Sequence, residues 1–210
     1  RDDPDYIQRT IPMPWPDPVK LEGEHATLVP LNRSHFDDLA EASKDGELWK
    51  LWYTFVPTAE DMAGEIDRRL GLQEAGSMLP FTTIENATGQ AVGMTTYMNI
   101  DAASKRVEIG STWNRKRVQR GPMNTECKFM LLRHAFETLD CIAVEFRTHF
   151  FNHQSRGAIE RLGAKLDGVL RNHMVMADGS FRDTCCYSII ASEWPTVKTH
   201  LSYQMSRSRS

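Results

Sequence analysis

The sequence has few of the features that mark membrane or repeat proteins. None of its apolar runs approaches the roughly 18–20 residues that a membrane-spanning helix needs. Its first residues show no charged segment followed by an apolar one, as a secretion signal would. Internal repeats are also absent. We therefore expect a cytoplasmic protein with no membrane partner.

Cysteine is scarce, and its spacing does not suit a metal site. No two of the four cysteines form a C-x-x-C pair, and three of them lie in apolar-patterned segments. Zinc requires better-spaced ligands. We expect reduced thiols in the core and no metal; the four are Cys127, Cys141, Cys185 and Cys186.

The sequence also lacks a large excess of charge of either sign. The net charge of −3 argues against a nucleic-acid partner or an anionic membrane surface. A hydrophobic content of 40% over 210 residues is typical of one globular domain with a substantial core.

One stretch, 108–136, combines a strand, a basic loop and a helix. Residues 107–113 alternate as a strand does, and apolar residues from Met123 onward recur at helical spacing. The first turn of a helix has unpaired N–H groups and attracts negative charge. A pyrophosphate is therefore one suitable ligand, and a solvated loop between two core elements is the alternative. The loop's cations are Arg115, Lys116, Arg117 and Arg120.

The rest of the chain is typical of one α+β domain with a mixed, mainly antiparallel sheet. Strands are predicted over 24–31, 80–85, 90–100, 105–113, 141–148, 165–176 and 181–191. Helices are predicted over 34–44, 58–75, 123–136 and 155–162, with a short one after Ser192. Ser34 and Thr58 are the expected N-caps. We predict a proline-rich arm at 1–20, a single domain at 21–201 and a polar tail at 202–210.

Several short motifs resemble those of the GNAT acyltransferases. Residues 119–124 are similar to motif A, Q/R-x-x-G-x-G/A, and the segment RGPMNTECK resembles the RimJ/RimL-like branch. The pattern N-x-x-S at Asn152 and Ser155, followed by Leu162-Gly163, resembles a second motif of that branch. The resemblance covers about residues 19–201. It implies about seven strands and four to five helices, with the fourth strand (105–113) and fifth strand (141–148) splayed around the pantetheine of acetyl-CoA.

The resemblance also implies which residues bind the cofactor. Backbone N–H groups of the motif A segment would bind the pyrophosphate, helped by nearby cations. Pro122 departs from the motif because it replaces a glycine and lacks an N–H donor, and Asn124 replaces a glycine or alanine. The implied cofactor-binding residues are Thr112, Trp113, Gln119, Arg120, Gly121, Pro122, Met123, Asn124, Asn152 and Ser155.

Two residues are implied as catalytic. Glu108 would be the general base on the central strand, on the face it shares with Gly110. Ser155 would lie near the cofactor sulfur and donate to the leaving thiolate. The alternatives are a surface carboxylate for Glu108 and a helix N-cap for Ser155. The tyrosine acid found in many GNAT enzymes is replaced by Ile159, and Glu126 is interpreted as structural.

Two further groups of residues bear on the acceptor. His149 and His153 are interpreted as facing substrate or solvent and not a metal. The aromatic residues Trp49, Trp52, Tyr53 and Phe55 either line an acceptor pocket or pack in the core.

The resemblance implies an acetyl-CoA-dependent N-acetyltransferase that acts by direct attack of a primary amine. The acceptor is left open between a protein N-terminus and a small-molecule amine. One alternative is a non-catalytic acyl-CoA-binding regulatory protein on a GNAT scaffold, and another is an interaction domain that uses the proline-rich arm. The family's frequent dimerisation implies a homodimer.

Overall fold

The computed structural model describes residues 15–207, so most of the predicted arm lies outside the described residues. The described chain forms eight strands and five α-helices. The strands are β1 (Leu21–Glu22), β2 (Ala26–Pro30), β3 (Met78–Glu85), β4 (Ala91–Asp101), β5 (Arg106–Asn114), β6 (Ala143–His149), β7 (Lys165–Val175) and β8 (Phe181–Ile190). The helices are α1 (Phe36–Lys44), α2 (Met62–Glu74), α3 (Met123–Glu137), α4 (His153–Arg161) and α5 (Trp194–Ser206).

All eight strands belong to one sheet, in the order β1-β2-β3-β4-β5-β6-β8-β7. The predicted α+β class and the mixed, mainly antiparallel sheet are confirmed. The strand count is one higher than predicted because the two-residue β1 pairs with β2. None of the five helices in residues 15–207 combines the length and the hydrophobicity needed to cross a bilayer.

The sheet opens between β5 and β6, its one parallel pair within the described residues. The two strands pair over three positions, from Arg106↔Ala143 to Glu108↔Glu145. β5 then continues to Asn114 and β6 to His149 without further pairing between them. The connection through α3 explains the parallel direction, because a strand–helix–strand crossover returns the chain in the same sense. The predicted splay thus lies between these two strands.

Helices cover both faces of the sheet, and each face has its own hydrophobic core. The larger core joins α3, α4 and α5 to one face and includes Val107 and Ile109 of β5. The smaller core joins α1 and α2 to the other face and includes Trp113 of β5 and Met94 of β4. Side chains from neighbouring parts of β5 therefore pack into the cores on opposite faces of the sheet.

A β-bulge in β5 explains this change of face. The register with β4 shifts between Met94↔Trp113 and Thr96↔Gly110, and Ser111 has a φ of +44°. An extra residue in one strand reverses the alternation of side chains beyond it. The prediction of a single period-2 alternation from 107 to 113 is therefore wrong beyond Gly110.

Three predicted helix ends differ from the structure. Asn32, not Ser34, caps the helical segment that leads into α1: its side chain accepts the backbone N–H of Ser34. α2 begins at Met62, and Thr58 accepts the N–H of Asp61 in the turn before it. α5 extends to Ser206, so most of the predicted polar tail is helical. Apolar residues on α5, such as Leu201, stabilise this helix by packing into the larger core.

Glu126 ties the first turn of α3 to the turn before β2. Its carboxylate accepts the backbone N–H groups of Glu24, His25 and Ala26 at 2.6, 2.9 and 2.9 Å. Ala26 is fully buried and Glu126 is nearly so. This carboxylate therefore holds the turn before β2 against α3, which is a structural role.

We predict that Glu126→Ala lowers the free energy of unfolding by about 3 kcal/mol, because it leaves three backbone donors without their charged acceptor. For a chain of this size that loss lowers Tm by roughly 6–12 °C, measurable by calorimetry. Glu74→Ala, at an exposed position in α2, is the control and should change stability by less than about 0.5 kcal/mol. A Glu126→Ala protein as stable as this control would contradict the structural role.

Candidate active site

Glu108 lies where the pairing of β5 and β6 ends. Its side chain is almost completely buried, with a residue exposure of 4%. Asn99 donates its Nδ2–H to Oε2 of Glu108 at 2.6 Å, and Nε of Arg147 lies 3.4 Å from the same oxygen. The alternative of a surface carboxylate is wrong for this residue.

The environment of Glu108 favours the protonated carboxyl more than water does. Burial raises the pKa of Glu108, while the hydrogen bond from Asn99 and the charge of Arg147 act in the opposite direction. The net direction is upward. A carboxylate with a raised pKa is a better proton acceptor, and this is the property that general-base chemistry requires.

A second carboxylate, Glu145, lies beside Glu108 on β6. Arg147 donates Nη2–H to Oε2 of Glu145 at 3.0 Å, and Arg106 donates to its Oε1 through both Nε and Nη2. These arginines hold the pKa of Glu145 below its usual value, although burial alone would raise it. The two neighbouring carboxylates therefore have pKa values shifted in opposite directions, and Glu108 is the stronger base.

The basic loop after β5 is only partly available to a ligand. Arg115 pairs with Asp45 at 3.2 Å. Arg117 donates two hydrogen bonds of 2.8 Å to Glu85, the last residue of β3. The prediction that Arg115 serves the phosphates is therefore weakened, since its charge is already matched by Asp45.

The start of α3 has the backbone expected of an anion site. Pro122 adopts helical angles and precedes Met123, the first residue of α3. Glu126 N–H is bonded to Pro122 O at 3.0 Å, so the N–H groups of Met123, Asn124 and Thr125 precede the first hydrogen bond of the helix. Before them, Arg120 has a φ of +60° and Gln119 donates its side chain to Asn114 O at 2.7 Å. The segment 119–124 thus forms a fixed turn that ends at a helix N-terminus.

Thr112 and Trp113 lie on opposite faces of β5. The Trp113 side chain is buried in the smaller core, so any contact with a cofactor would come from its backbone. Thr112 accepts from Nζ of Lys128 at 2.6 Å and bonds to Thr95 at 2.8 Å. Lys128 is buried in the first half of α3, and burial lowers its pKa to about 8. Thr112 therefore connects β5 to α3 beneath the opening.

Asn152 and Ser155 flank the opening on the β6 side, at the start of α4. Asn152 is the N-cap: its Oδ1 accepts the N–H of Ser155 at 3.0 Å. The alternative in which Ser155 caps the helix is therefore wrong, because the roles are exchanged. Ser155 is partly buried in the first turn of α4. The structure thus places Glu108 on β5 and Ser155 on α4, the helix that follows β6.

Aromatic rings surround the end of β6. The Trp52 ring lies 5.0 Å from the His149 ring at 77°, and 6.1 Å from the ring of Phe151. His149 is buried, and its Nδ1 accepts the N–H of Phe151 at 3.1 Å. His153, in contrast, is exposed at the start of α4. Of the predicted aromatic run, Trp52 reaches this end of the sheet and remains 53% exposed.

Candidate metal ligands are scattered over the part of the chain that the structure describes. Within residues 15–207, no group of three or more histidine, cysteine, aspartate or glutamate residues is arranged to hold a metal ion. All four cysteines are free, and three of them are buried.

The sequence did not point to Asn99, Arg147 or Lys128 as parts of this site. Arg147 could have been found, because Glu145, Arg147 and His149 repeat at a spacing of two along β6 and so share one face. Lys128 could have been noticed as a cation inside an apolar helical pattern. Asn99 gave no signal, because its contact with Glu108 depends on the register of β4 against β5.

Comparison with known proteins agrees with the fold. Residues 25–165 match the family described as "Acetyltransferase (GNAT) domain". YdaF of Bacillus subtilis (strain 168), whose name marks it provisionally as a ribosomal N-acetyltransferase, is 30% identical over 111 residues; the match covers 52% of this chain and 59% of YdaF.

Solved structures extend the likeness to almost the whole chain. A GCN5-related N-acetyltransferase from Brucella melitensis is 31% identical, with a TM-score of 0.83 over 95% of this chain and 91% of that one. RimJ of Mycobacterium smegmatis, solved with CoA-disulfide, shares the fold with a TM-score of 0.73 at 22% identity, over 90% of this chain and 95% of that one.

The fold and the comparisons define an acyltransferase. The chain belongs to the GNAT acetyltransferase family. A position in its RimJ/RimL-like branch is consistent with the name of YdaF.

We predict that the carboxyl group of Glu108 titrates above the ordinary glutamate value, and that Asn99→Ala raises its pKa further by removing a hydrogen bond to the ionised form. The measurement is a ¹³C-carboxyl NMR titration, with the signal assigned by its loss in Glu108→Gln. Asn86→Ala, in the turn between β3 and β4, is the control and should leave this titration unchanged. A lower pKa in Asn99→Ala would show that the hydrogen bond does not act as described.

Proposed function

We propose that this protein transfers an acetyl group from acetyl-CoA to a primary amine, either a protein N-terminus or a small-molecule amine, by direct attack. The observation that carries this proposal is the buried Glu108, whose pKa is raised, at the point where β5 and β6 separate. Membership of the GNAT family supports the acyl donor, and the provisional name of YdaF, a ribosomal N-acetyltransferase, supports a macromolecular acceptor such as a protein N-terminus as one class.

The residues around the opening fit coenzyme A. Beyond Glu108 and Glu145 the facing edges of β5 and β6 do not pair, so their backbone groups can bond to the amides of a pantetheine chain. The pyrophosphate would lie at the N-terminus of α3, on the N–H groups of Met123 and Asn124. Arg120 and Lys116, exposed beside that helix end, would add positive charge.

The proposed chemistry needs one group that accepts a proton and one group that donates a hydrogen bond to the departing thiolate. Glu108 takes a proton from the ammonium or from the attacking amine, directly or through water, while the amine nitrogen bonds to the thioester carbon. The carbon–sulfur bond breaks, and CoA leaves as a thiolate that accepts a hydrogen bond from the hydroxyl of Ser155. The proton taken from the amine stays on Glu108 and passes from there to water. No covalent bond to the enzyme forms, so none of the buried cysteines is required.

The alternative, acyl-CoA binding without turnover, was motivated by Pro122 and Ile159. Pro122 removes one donor from the motif A turn, and Ile159 is buried in the larger core and cannot supply a proton. Neither departure affects Glu108 or its surroundings. Family membership favours an enzyme, and the kinetic test below separates the two possibilities.

We predict that Glu108→Gln lowers kcat/KM for amine acetylation by about 10²–10⁴-fold, because the amide cannot accept the proton. Affinity for acetyl-CoA should stay within about threefold, since Glu108 lies away from the pyrophosphate site. Thiol release measures the first quantity and isothermal titration the second.

Glu74→Gln makes the same chemical change at an exposed position and is the control for this experiment. It should keep both values. If the wild-type protein binds acetyl-CoA and acetylates no amine in a broad screen, the alternative without turnover is supported. Full activity in Glu108→Gln would instead show that another group is the base.

We also predict that Pro122→Ala tightens CoA binding by about three- to tenfold, because it restores one N–H donor at the pyrophosphate site. The φ of Pro122 is −71°, which alanine adopts without strain, although the freer unfolded chain should cost up to about 1 kcal/mol of stability. Titration with desulfo-CoA measures the affinity.

Pro195→Ala, at the start of α5, tests whether the loss of a proline alone changes binding, and it should leave the Kd unchanged. An unchanged or weaker Kd in Pro122→Ala would mean that the missing donor is irrelevant to the pyrophosphate.

A further inference from the structure

Polar side chains from three neighbouring strands share the face of the sheet that carries Glu108. Glu108 is opposite Glu145 on β6, and residues two and four positions further along β6 point the same way. Their partners on β8 are Cys186 and Thr184, and Arg182 lies two residues before Thr184. The side chains on this face are Glu108, Glu145, Arg147, His149, Arg182, Thr184 and Cys186.

The carboxylates on this face are already matched by two other arginines. Glu145 accepts hydrogen bonds from Arg106 and Arg147. Glu108 accepts one from Asn99 and has Arg147 at 3.4 Å. Arg182 is therefore a third cation beside two carboxylates, and the face has a surplus of positive charge.

Arg182 is half-buried but has no carboxylate of its own. Its Nε donates to Oγ1 of Thr184 at 2.9 Å, which leaves the two terminal nitrogens of the guanidinium for other partners. Within residues 15–207 no carboxylate oxygen lies within salt-bridge distance of Arg182. At longer range, the charges of Arg182 and Glu108 are close enough for each to shift the pKa of the other. A desolvated guanidinium gains most from a bidentate anionic partner.

We propose that the acceptor is an amine that also carries a carboxylate, and that Arg182 binds this carboxylate while the amine faces Glu108. The inference rests on the proposed function, because it names the acceptor class of the same site. The β8 residue level with Glu108 and Glu145 is Ser188, so the backbone of Arg182 lies six residues further along the sheet. The side chain of Arg182 runs back towards Glu108, because its Nε bonds to Thr184, and the two charges are close enough to act on each other. An acceptor whose amine faces Glu108 can therefore reach Arg182 with its carboxylate.

The charge of this face disfavours other amines. A polyamine or an ammonium without an anionic group would meet a surplus cation, whereas an amino acid would bring the charge that Arg182 lacks. The same carboxylate could come from an acidic side chain near the N-terminus of a peptide. The exposed Trp52 ring lies against His149, which pairs with Thr184 on β8, and so offers an apolar wall beside Arg182.

Equilibrium binding tests the inference without relying on turnover. Isothermal titration of the protein saturated with desulfo-CoA would compare an amino acid with its own amide, and a peptide with aspartate at its second position with the asparagine form. Affinities are corrected for the fraction of unprotonated amine. We expect the acidic member to bind about 10- to 100-fold more tightly in at least one pair. The pair with the larger ratio identifies the source of the carboxylate.

Variants locate the effect at Arg182. Arg182→Gln should reduce the preference to within about threefold by weakening the acidic ligand and sparing the neutral one, and Arg182→Lys should retain an intermediate preference. Arg171→Gln makes the same change on β7, where the side chain is exposed and pairs with Asp183, and should keep the wild-type ratio.

Each result separates this inference from the proposed function. Equal binding within both pairs, or a preference that survives Arg182→Gln, would overturn the carboxylate site even if amines are acetylated. An acid preference that is lost in Arg182→Gln would support the site. If no amine were then acetylated when acetyl-CoA replaces desulfo-CoA, the proposed function would fail and the site would stand.

Discussion

A hydrogen bond from Arg69 to the carbonyl of Ser111 holds the bulge on which the site depends. Nη2 of Arg69 lies 3.0 Å from Ser111 O, and Nε of Arg69 donates to Glu65 at 2.7 Å. Arg69 and Glu65 are both buried on α2. An unpaired carbonyl or guanidinium here would be costly, so the three groups are stable only together. This contact fixes α2 over the position where β5 changes face.

The bulge determines which face of the sheet each side chain of β5 occupies. Before it, Glu108 faces the α2 side of the sheet and Val107 packs beneath α3. After it, Thr112 contacts Lys128 of α3 and Trp113 packs under α1 and α2. Close approach is also required where β4 meets β5: a Cβ on Gly93 would lie 2.2 Å from Trp113 O. In a regular strand, Thr112 would lie on the face of Glu108 and Trp113 would lie on the face of Val107.

Two buried carboxylates show how the same fold produces opposite acid–base behaviour. Burial would raise the pKa of Glu65, but hydrogen bonds from Arg68 and the charge of Arg69 outweigh it, and the pKa is lowered. Glu65 therefore stabilises the protein above its unfolded-state pKa, and this contribution is lost as the pH falls. Glu108 has the opposite sign. Its raised pKa means that ionisation destabilises the folded protein at neutral pH, and the penalty disappears as the pH falls through the native pKa.

Much of the fold was predictable because local patterns and tertiary structure agree. Alternation placed the strands, turn residues placed the hairpins, and the basic loop before Met123 marked the start of α3. The bulge could not be predicted, since no residue type requires it and the side chain that bonds to it is a buried arginine 42 positions earlier in the chain. The exchange of roles between Asn152 and Ser155 is a local ambiguity, because both are good capping residues. The homodimer stays a prediction.

Under the proposed function, the cations of the site form two anion-binding regions, one for the cofactor and one for the acceptor. On the cofactor side, Arg115 and Arg117 are matched by Asp45 and Glu85, so binding there depends more on the backbone of α3 than on the number of basic residues in the loop. On the acceptor side, the carboxylates engage Arg106 and Arg147, and Arg182 is left for a ligand. A count of basic residues in the sequence would have placed the surplus charge in the loop alone. The ion pairs show a further cation, Arg182, on the face of the sheet that carries Glu108.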